Sequence, residues 1–146
     1  MKNVYRALAI SLVAVALLGV ALTSTVSGIH TTGHFRHEMR DWPTGWLMGS
    51  LDYYVEVDST YTGGKYILDD AYDAVSIFAA IGHYYINIDK SVIRYTGSSN
   101  EYARGFCEWD NGYGILTPWG WIPIAQWHHS CYIWVYGSGS WNYQYY

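Results

Sequence analysis

Acidic and basic side chains are missing altogether from residues 111–146, so every formal charge of this 146-residue chain lies before that stretch. Proline is scarce, with three residues, and cysteine scarcer, with two. The catalytic inventory is equally thin. There is no Gly-x-Ser-x-Gly elbow and no phosphate-cradling glycine loop, and His37-Glu38-Met39-Arg40-Asp41 puts Asp41 where a zinc protease needs its second histidine. Asp69, Asp70 and Asp73 lack the alternation and the glycine of a calcium loop. These absences point to a protein that is not an enzyme. Lys and Arg number eight against twelve Asp and Glu, and without a basic patch the electrostatic footprint of a nucleic-acid binder is missing.

The N-terminus reads as an export signal. Lys2 and Arg6 precede an apolar run over residues 7–22, followed by the small polar residues Thr23, Ser24, Thr25, Ser27 and Gly28. Residues 1–28 are therefore assigned to a signal peptide, or to an N-terminal apolar anchor if they are retained, and residues 29–146 to a single secreted β domain. Cleavage after Ser27 or after Gly28 satisfies the small-residue rule. Arg6-Ala7-Leu8 ahead of the apolar run resembles the processing site of archaeal type IV pilin-like precursors, which implies a filament subunit built on an apolar helix. The glutamate that bacterial pilins carry five residues into that helix is absent. Loss of residues 1–28 removes two cations and leaves a net charge of 6 − 12 = −6. Such a domain repels anionic lipid, so contact with a membrane is expected only if the apolar segment is retained.

An exported chain meets oxidising conditions, and Cys107 and Cys131 are accordingly expected to form a disulfide. Closing a loop of that size stabilises by roughly 3 kcal/mol in the chain-entropy model.

Along the mature chain, residues 29–49 carry Gly33, Pro43, Gly45 and Gly49 without sustained periodicity and read as an irregular lead-in with at most one short strand. Leu51, Tyr53, Val55 and Val57 alternate with Asp52, Tyr54, Glu56 and Asp58, the pattern of a half-buried strand. Residues 70–81 offer Ala71, Ala74, Val75, Phe78 and Ala79 on one helical face, with Asp70 as a cap and Gly82 at the end, and predict one short helix. Period two resumes from Tyr84, with turns expected at residues 89–91 and 97–100. Asp110-Asn111-Gly112 is a strong hairpin signal after a strand over residues 101–109. A last hairpin is expected around residues 137–140. Short strands punctuated by turn residues predict a mainly β fold, a small antiparallel sandwich or barrel.

Two groups of side chains are candidates for function. His30, His34 and His37 are spaced three and four apart and would share one face of a helix, where they could ligate a metal. If the mature chain begins Gly28-Ile29-His30, its amine, amides and imidazole could hold copper or nickel in a square plane. The second group is aromatic. Trp119, Trp121, Trp127, Trp134, Trp141, Tyr143 and Tyr145 crowd the charge-free C-terminal third, and Trp119 and Trp121, two apart in an extended segment, would present both indoles on one face, suited to stacking on sugars. The expected function is a secreted, non-catalytic β-protein that self-assembles or binds an extracellular or cell-envelope glycan or protein through that third. A carbohydrate-binding module, a bacteriocin-like toxin and the pilin-like filament subunit are the alternatives.

Overall fold

The computed structural model describes residues 27–146, and the signal, anchor and pilin readings of the preceding segment lie outside it. Seven strands follow in order: β1 (Ser27–Arg40), β2 (Leu47–Thr62), β3 (Lys65–Ala79), β4 (His83–Tyr95), β5 (Tyr102–Thr117), β6 (Gly120–Tyr136) and β7 (Trp141–Tyr145). They form two antiparallel meanders, β1-β2-β3 and β4-β5-β6-β7, joined by residues 80–82. This is the small antiparallel β-sandwich that the alternating strands imply.

The core forms because odd-numbered residues of four strands point the same way, into the space between the sheets. Leu51, Tyr53, Val55 and Val57 of β2 face Ala103, Cys107 and Trp109 of β5 and Cys131, Ile133 and Val135 of β6, all with no exposed surface. Glycine permits the closest approaches. A Cβ on Gly105 would lie 2.2 Å from Val55 Cγ2 and 2.5 Å from the Tyr53 hydroxyl, and one on Gly33 would lie 2.6 Å from Ile133 Cγ2. Tyr53 can be fully buried because its hydroxyl donates across the core to the Phe106 carbonyl at 3.1 Å. The β3 and β4 edges are clasped by the Lys90–Asp73 ion pair and by Arg94, which donates to the Leu68 carbonyl.

Several sequence expectations are corrected here. Residues 70–81 hold no helix, since β3 runs through to Ala79 in register with β2. Ala71, Asp73 and Val75 form its inward row, and the alternation looks poor because Asp73, on that row, is neutralised by Lys90 from the other sheet. A bulge at Asp69, between the pairs Asp58–Asp70 and Ser59–Leu68, also shifts the parity. The lead-in is a full strand whose inward row, Thr31, Gly33, Phe35, His37 and Met39, mixes polar and apolar residues and so hides its period. The turn expected at residues 89–91 is a bulge within β4 between Ile86 and Asp89, with Asn87 at a φ of 52°. Residues 110–112 do not turn either. Buried Asn111 finds a side-chain partner across the ladder in His129, so β5 continues to Thr117.

Cys107 and Cys131 are not bonded; both are buried free thiols, directly opposite each other in the β5–β6 ladder. The 24-residue separation is the β5–β6 hairpin itself, whose ladder holds the two thiols opposite each other without a covalent link. Burial pushes both thiols up to about 12, and Cys131 therefore stays protonated rather than acting as a nucleophile beside His129.

Candidate binding end of the sandwich

Three connections meet at one end of the molecule. The β1–β2 turn, residues 41–46, is fastened by Asp41: its carboxylate accepts the Trp46 amide at 2.8 Å and the Thr44 hydroxyl, and its carbonyl accepts the Gly45 amide at 2.9 Å. Gly45, at a φ of 73°, permits that closure. With the backbone so occupied, Trp42 and Trp46 are left projecting, 93% and 72% exposed. The link at residues 80–82 is tied to the start of β2 by the bond from the Ala80 amide to the Met48 carbonyl, and to β5 by the bond from the Gly114 amide to the Gly82 carbonyl. Ile81, between those bonds, is 98% exposed.

The third connection is the β5–β6 hairpin. Past Tyr113, which pairs with His83 at the start of β4, and away from β7, which pairs only with the other half of β6, the two arms run on with no neighbouring strand on either edge among the described residues. Ile115 faces Ile122 and Leu116 faces Trp121 across the ladder, before a turn at residues 117–120. The Thr117 hydroxyl fixes that turn by donating to the Gly120 carbonyl at 2.8 Å. Trp119 at the tip is 92% exposed, and Ile115, Leu116, Ile122 and Ile124 are all more than half exposed. Large exposed apolar patches are uncommon on monomeric proteins and mark contact surfaces.

Between the hairpin's base and the β1–β2 turn lies a cleft of about 740 Å³, with Trp42 on one wall and Trp127 on the other. Its floor is an imidazole and aromatic cluster at the end of the core. His37 of β1 and His129 of β6 face inward from opposite sheets with ring centroids 4.7 Å apart, beside Trp109 and Tyr145. His129 donates from Nε2 to the Asn111 side-chain oxygen at 2.9 Å and accepts the Tyr145 hydroxyl at Nδ1, 2.6 Å away. Nδ1 of His37 meets the Tyr85 hydroxyl at 3.2 Å. Burial pushes His37 down to about 4, helped by the charge His129 would carry, and burial likewise lowers His129. Both rings are therefore neutral at pH 7. His83 lines the same cleft and carries a buried Nδ1 that has no hydrogen-bond partner among the described residues.

The three histidines singled out in the sequence are separated. On a strand, His30 and His34 point outward and His37 inward. His30 donates to Asp58 at 2.8 Å, and His34 donates to Asp52 at 2.9 Å while stacking on Tyr54. The helical face that would have gathered them does not exist, and among the described residues no group of three side chains is arranged to hold a metal. Gly28, Ile29 and His30 are paired with Thr60, Ser59 and Asp58, so a chelate using their amides would have to leave the β1–β2 ladder.

The aromatic candidates also divide. Trp119 sits in the turn and Trp121 in β6, so the backbone does not carry both in one extended strand. Trp141, Tyr143 and Tyr145 lie on the inward side of β7, where Tyr143 and Tyr145 cover Phe35 at centroid distances of 5.3 and 5.1 Å. Trp134 lies on the outer face of the second sheet, in an aromatic array that the sequence reading missed. There Tyr95 stacks on Tyr102 at 4.6 Å, Tyr102 meets Tyr136 at 5.4 Å, and Tyr132 lies between Phe106 and Trp134. Arg104 caps Tyr95 and Tyr132 at 5.5 and 5.6 Å. These rings come from three strands, so only the ladder register unites them. The parity of β1 and β6 was the available signal for the His37–His129 pair.

No protein-family model, no curated protein and no solved structure matches this chain.

Proposed function

We propose that the protein is exported and non-catalytic, and that it acts by contact with an extracellular or cell-envelope partner, or with further copies of itself, through its charge-free C-terminal third. The observation that carries this reading is the β5–β6 hairpin, an uncharged ribbon with large apolar side chains bare to solvent beyond the edge of both neighbouring strands. Burying such surface recovers about 25 cal/mol per Å², a gain unrealised in the isolated chain. The edge strand β7 is bound to the fold by Tyr143 and Tyr145 over Phe35, though its aromatic rings remain partly exposed. The decisive variant is Leu116→Ser/Trp119→Ser/Ile122→Ser. Sedimentation and affinity electrophoresis in polysaccharide gels should show association or retardation of the native chain that this variant loses. A native chain that sediments as a monomer at high concentration and binds no envelope component refutes the reading.

A second reading, glycan binding, is favoured by the outer aromatic array of β4, β5 and β6. Planar rings with a guanidinium among them suit the faces and hydroxyls of a polysaccharide. Retardation that survives the hairpin variant and disappears with Tyr132→Ala/Trp134→Ala would establish it. Growth inhibition of neighbouring cells is the assay that would turn either contact surface into that of a bacteriocin-like toxin.

A further inference from the structure

We infer that the β5–β6 hairpin is an anchor for a lipid surface, its tip entering the interfacial zone of an uncharged bilayer such as phosphatidylcholine. The inference rests on the contact reading above and names the partner.

The arms are apolar all round. In a two-stranded ribbon successive side chains point to opposite faces, yet Ile115 and Leu116 are 57% and 66% exposed, and Ile122 and Ile124 are exposed on the facing arm. A protein or glycan seated on one face would leave the other in water. A surrounding apolar medium covers both. The segment from Tyr113 to Trp127 contains no charged side chain to oppose insertion, and Trp119 at the tip has the amphipathic indole favoured at membrane interfaces.

Length and hydrogen bonding set the depth. Beyond the Gly82–Gly114 bond each arm has four residues, 114–117 and 120–123, which at 3.3 Å per residue reach about 13 Å. That is short of the ~30 Å hydrocarbon core, so the hairpin cannot span. Its unpaired edge amides and carbonyls also forbid full burial in hydrocarbon. The position that satisfies both limits is shallow, about 5–10 Å into the boundary between headgroups and chains. At that depth Trp42, Trp46 and Ile81, exposed on the two connections at the hairpin's base, form a collar beside the headgroups.

Charge selects the lipid. Near the collar Glu38 and Asp41 are balanced by Arg36 and Arg40, so the bias comes from the domain as a whole, which from residue 29 onward carries a net −6. Anionic headgroups are therefore disfavoured. β1 starts at the opposite end of the sandwich, where Ser27 pairs with Tyr61, so docking of the hairpin requires nothing of the apolar residues 7–22.

The test is flotation of the full chain with phosphatidylcholine vesicles, alone and with about a third phosphatidylserine, beside depth-dependent quenching by brominated lipid. Native protein should float with phosphatidylcholine and bind the mixed vesicles less well at low salt. Leu116→Ser/Trp119→Ser/Ile122→Ser should weaken binding at least tenfold, an effect expected from three exposed apolar side chains. Trp119→Ser alone, at a position 92% exposed, gives a smaller loss in a chain whose fold is not in question. Trp119→Phe should retain binding while losing the most deeply quenched share of the fluorescence, the remainder coming from the tryptophans of the arm and the collar. Equal flotation of the native chain and both serine variants overturns the inference, as does absence of flotation by the native chain. If flotation fails but the triple variant still abolishes self-association or glycan retardation, only the lipid assignment falls. If the triple variant changes none of the three, the contact reading falls with it.

Discussion

The two ends of the sandwich are built from opposite materials. At the end where β1 begins, the turns at residues 62–64, 96–100 and 137–140 are made of Gly, Ser, Thr and Asn, and polar side chains there bond to one another and to the backbone. Glu101 reaches across both sheets, accepting the Leu68 amide at 2.9 Å and the Gly97 amide at 2.8 Å. Asn100 and Ser138 exchange two bonds, and the Ser59 hydroxyl donates to the Gly137 carbonyl at 2.7 Å. At the other end polar bonding fastens the backbone of each turn, while the side chains that project are Trp42, Trp46, Ile81 and Trp119. One end uses its side chains to hold the sheets together; the other withholds them from the fold. The side-chain hydrogen bonds between the sheets are concentrated at the first, and the surface available for contact at the second.

The sharpest way to break this contrast is Glu101→Ala. The buried Leu68 amide and the exposed Gly97 amide would both lose a charged acceptor, and urea denaturation should show a loss of about 2–3 kcal/mol, most of it from Leu68, with Glu101→Gln recovering part of it. A Glu101→Ala protein as stable as the native chain would mean that the polar end is not the clasp.

Acidification should strike the opposite end. Burial lowers His37 to about 4 from 6.5, so the unfolded chain binds the proton first, and stability present above pH 6.5 is lost as pH falls toward 4. Allowing for partial solvent access, the loss is up to about 2 kcal/mol, with His129 adding in the same direction. Between pH 7 and pH 5 the urea midpoint should therefore drop, and His37→Phe should flatten that drop. Glu101, whose carboxyl is held below the ordinary range by the two amides, adds its own loss only as pH falls below about 4.5. Outward His30 shifts in the opposite sense to the inward pair, because its hydrogen bond to Asp58 raises its pKa.

Ser59→Ala, which deletes one latch at the polar end, should cost about 1 kcal/mol by the same denaturation measurement. The smallest effect on stability belongs to the apolar end. Trp42→Ser and Trp119→Ser should each shift thermal unfolding by less than ~0.5 kcal/mol while raising solubility, because neither ring is packed. A large destabilisation from either would show that the indoles do support the fold.

How far these ends could be read from the sequence depended on how strictly each strand alternates. β2 was legible from Leu51 to Val57 because every second residue is aliphatic or aromatic. β1 was not, because Gly33 and His37 stand on its inward row, one making room for Ile133 and the other meeting His129. β3 looked helical because Asp73 occupies an inward position that only Lys90 from the other sheet makes tolerable. The charge-free stretch was visible at once, but its division into a projecting hairpin and a strand folded over Phe35 follows from where β4 and β7 stop pairing. That information belongs to the register and has no local signature. The outer aromatic array around Arg104 was hidden for the same reason, since its members are adjacent only across strands.

Residues 80–82 are the sole covalent passage between the sheets among the described residues, and Gly82 there has a φ of 89°. The halves are thus two pages bound along one short spine, and the non-covalent clasp at Glu101 sits at the far margin. Under a pulling force applied across that margin, the pages should part before either one unravels, and they would swing about the very corner that bears the tryptophans.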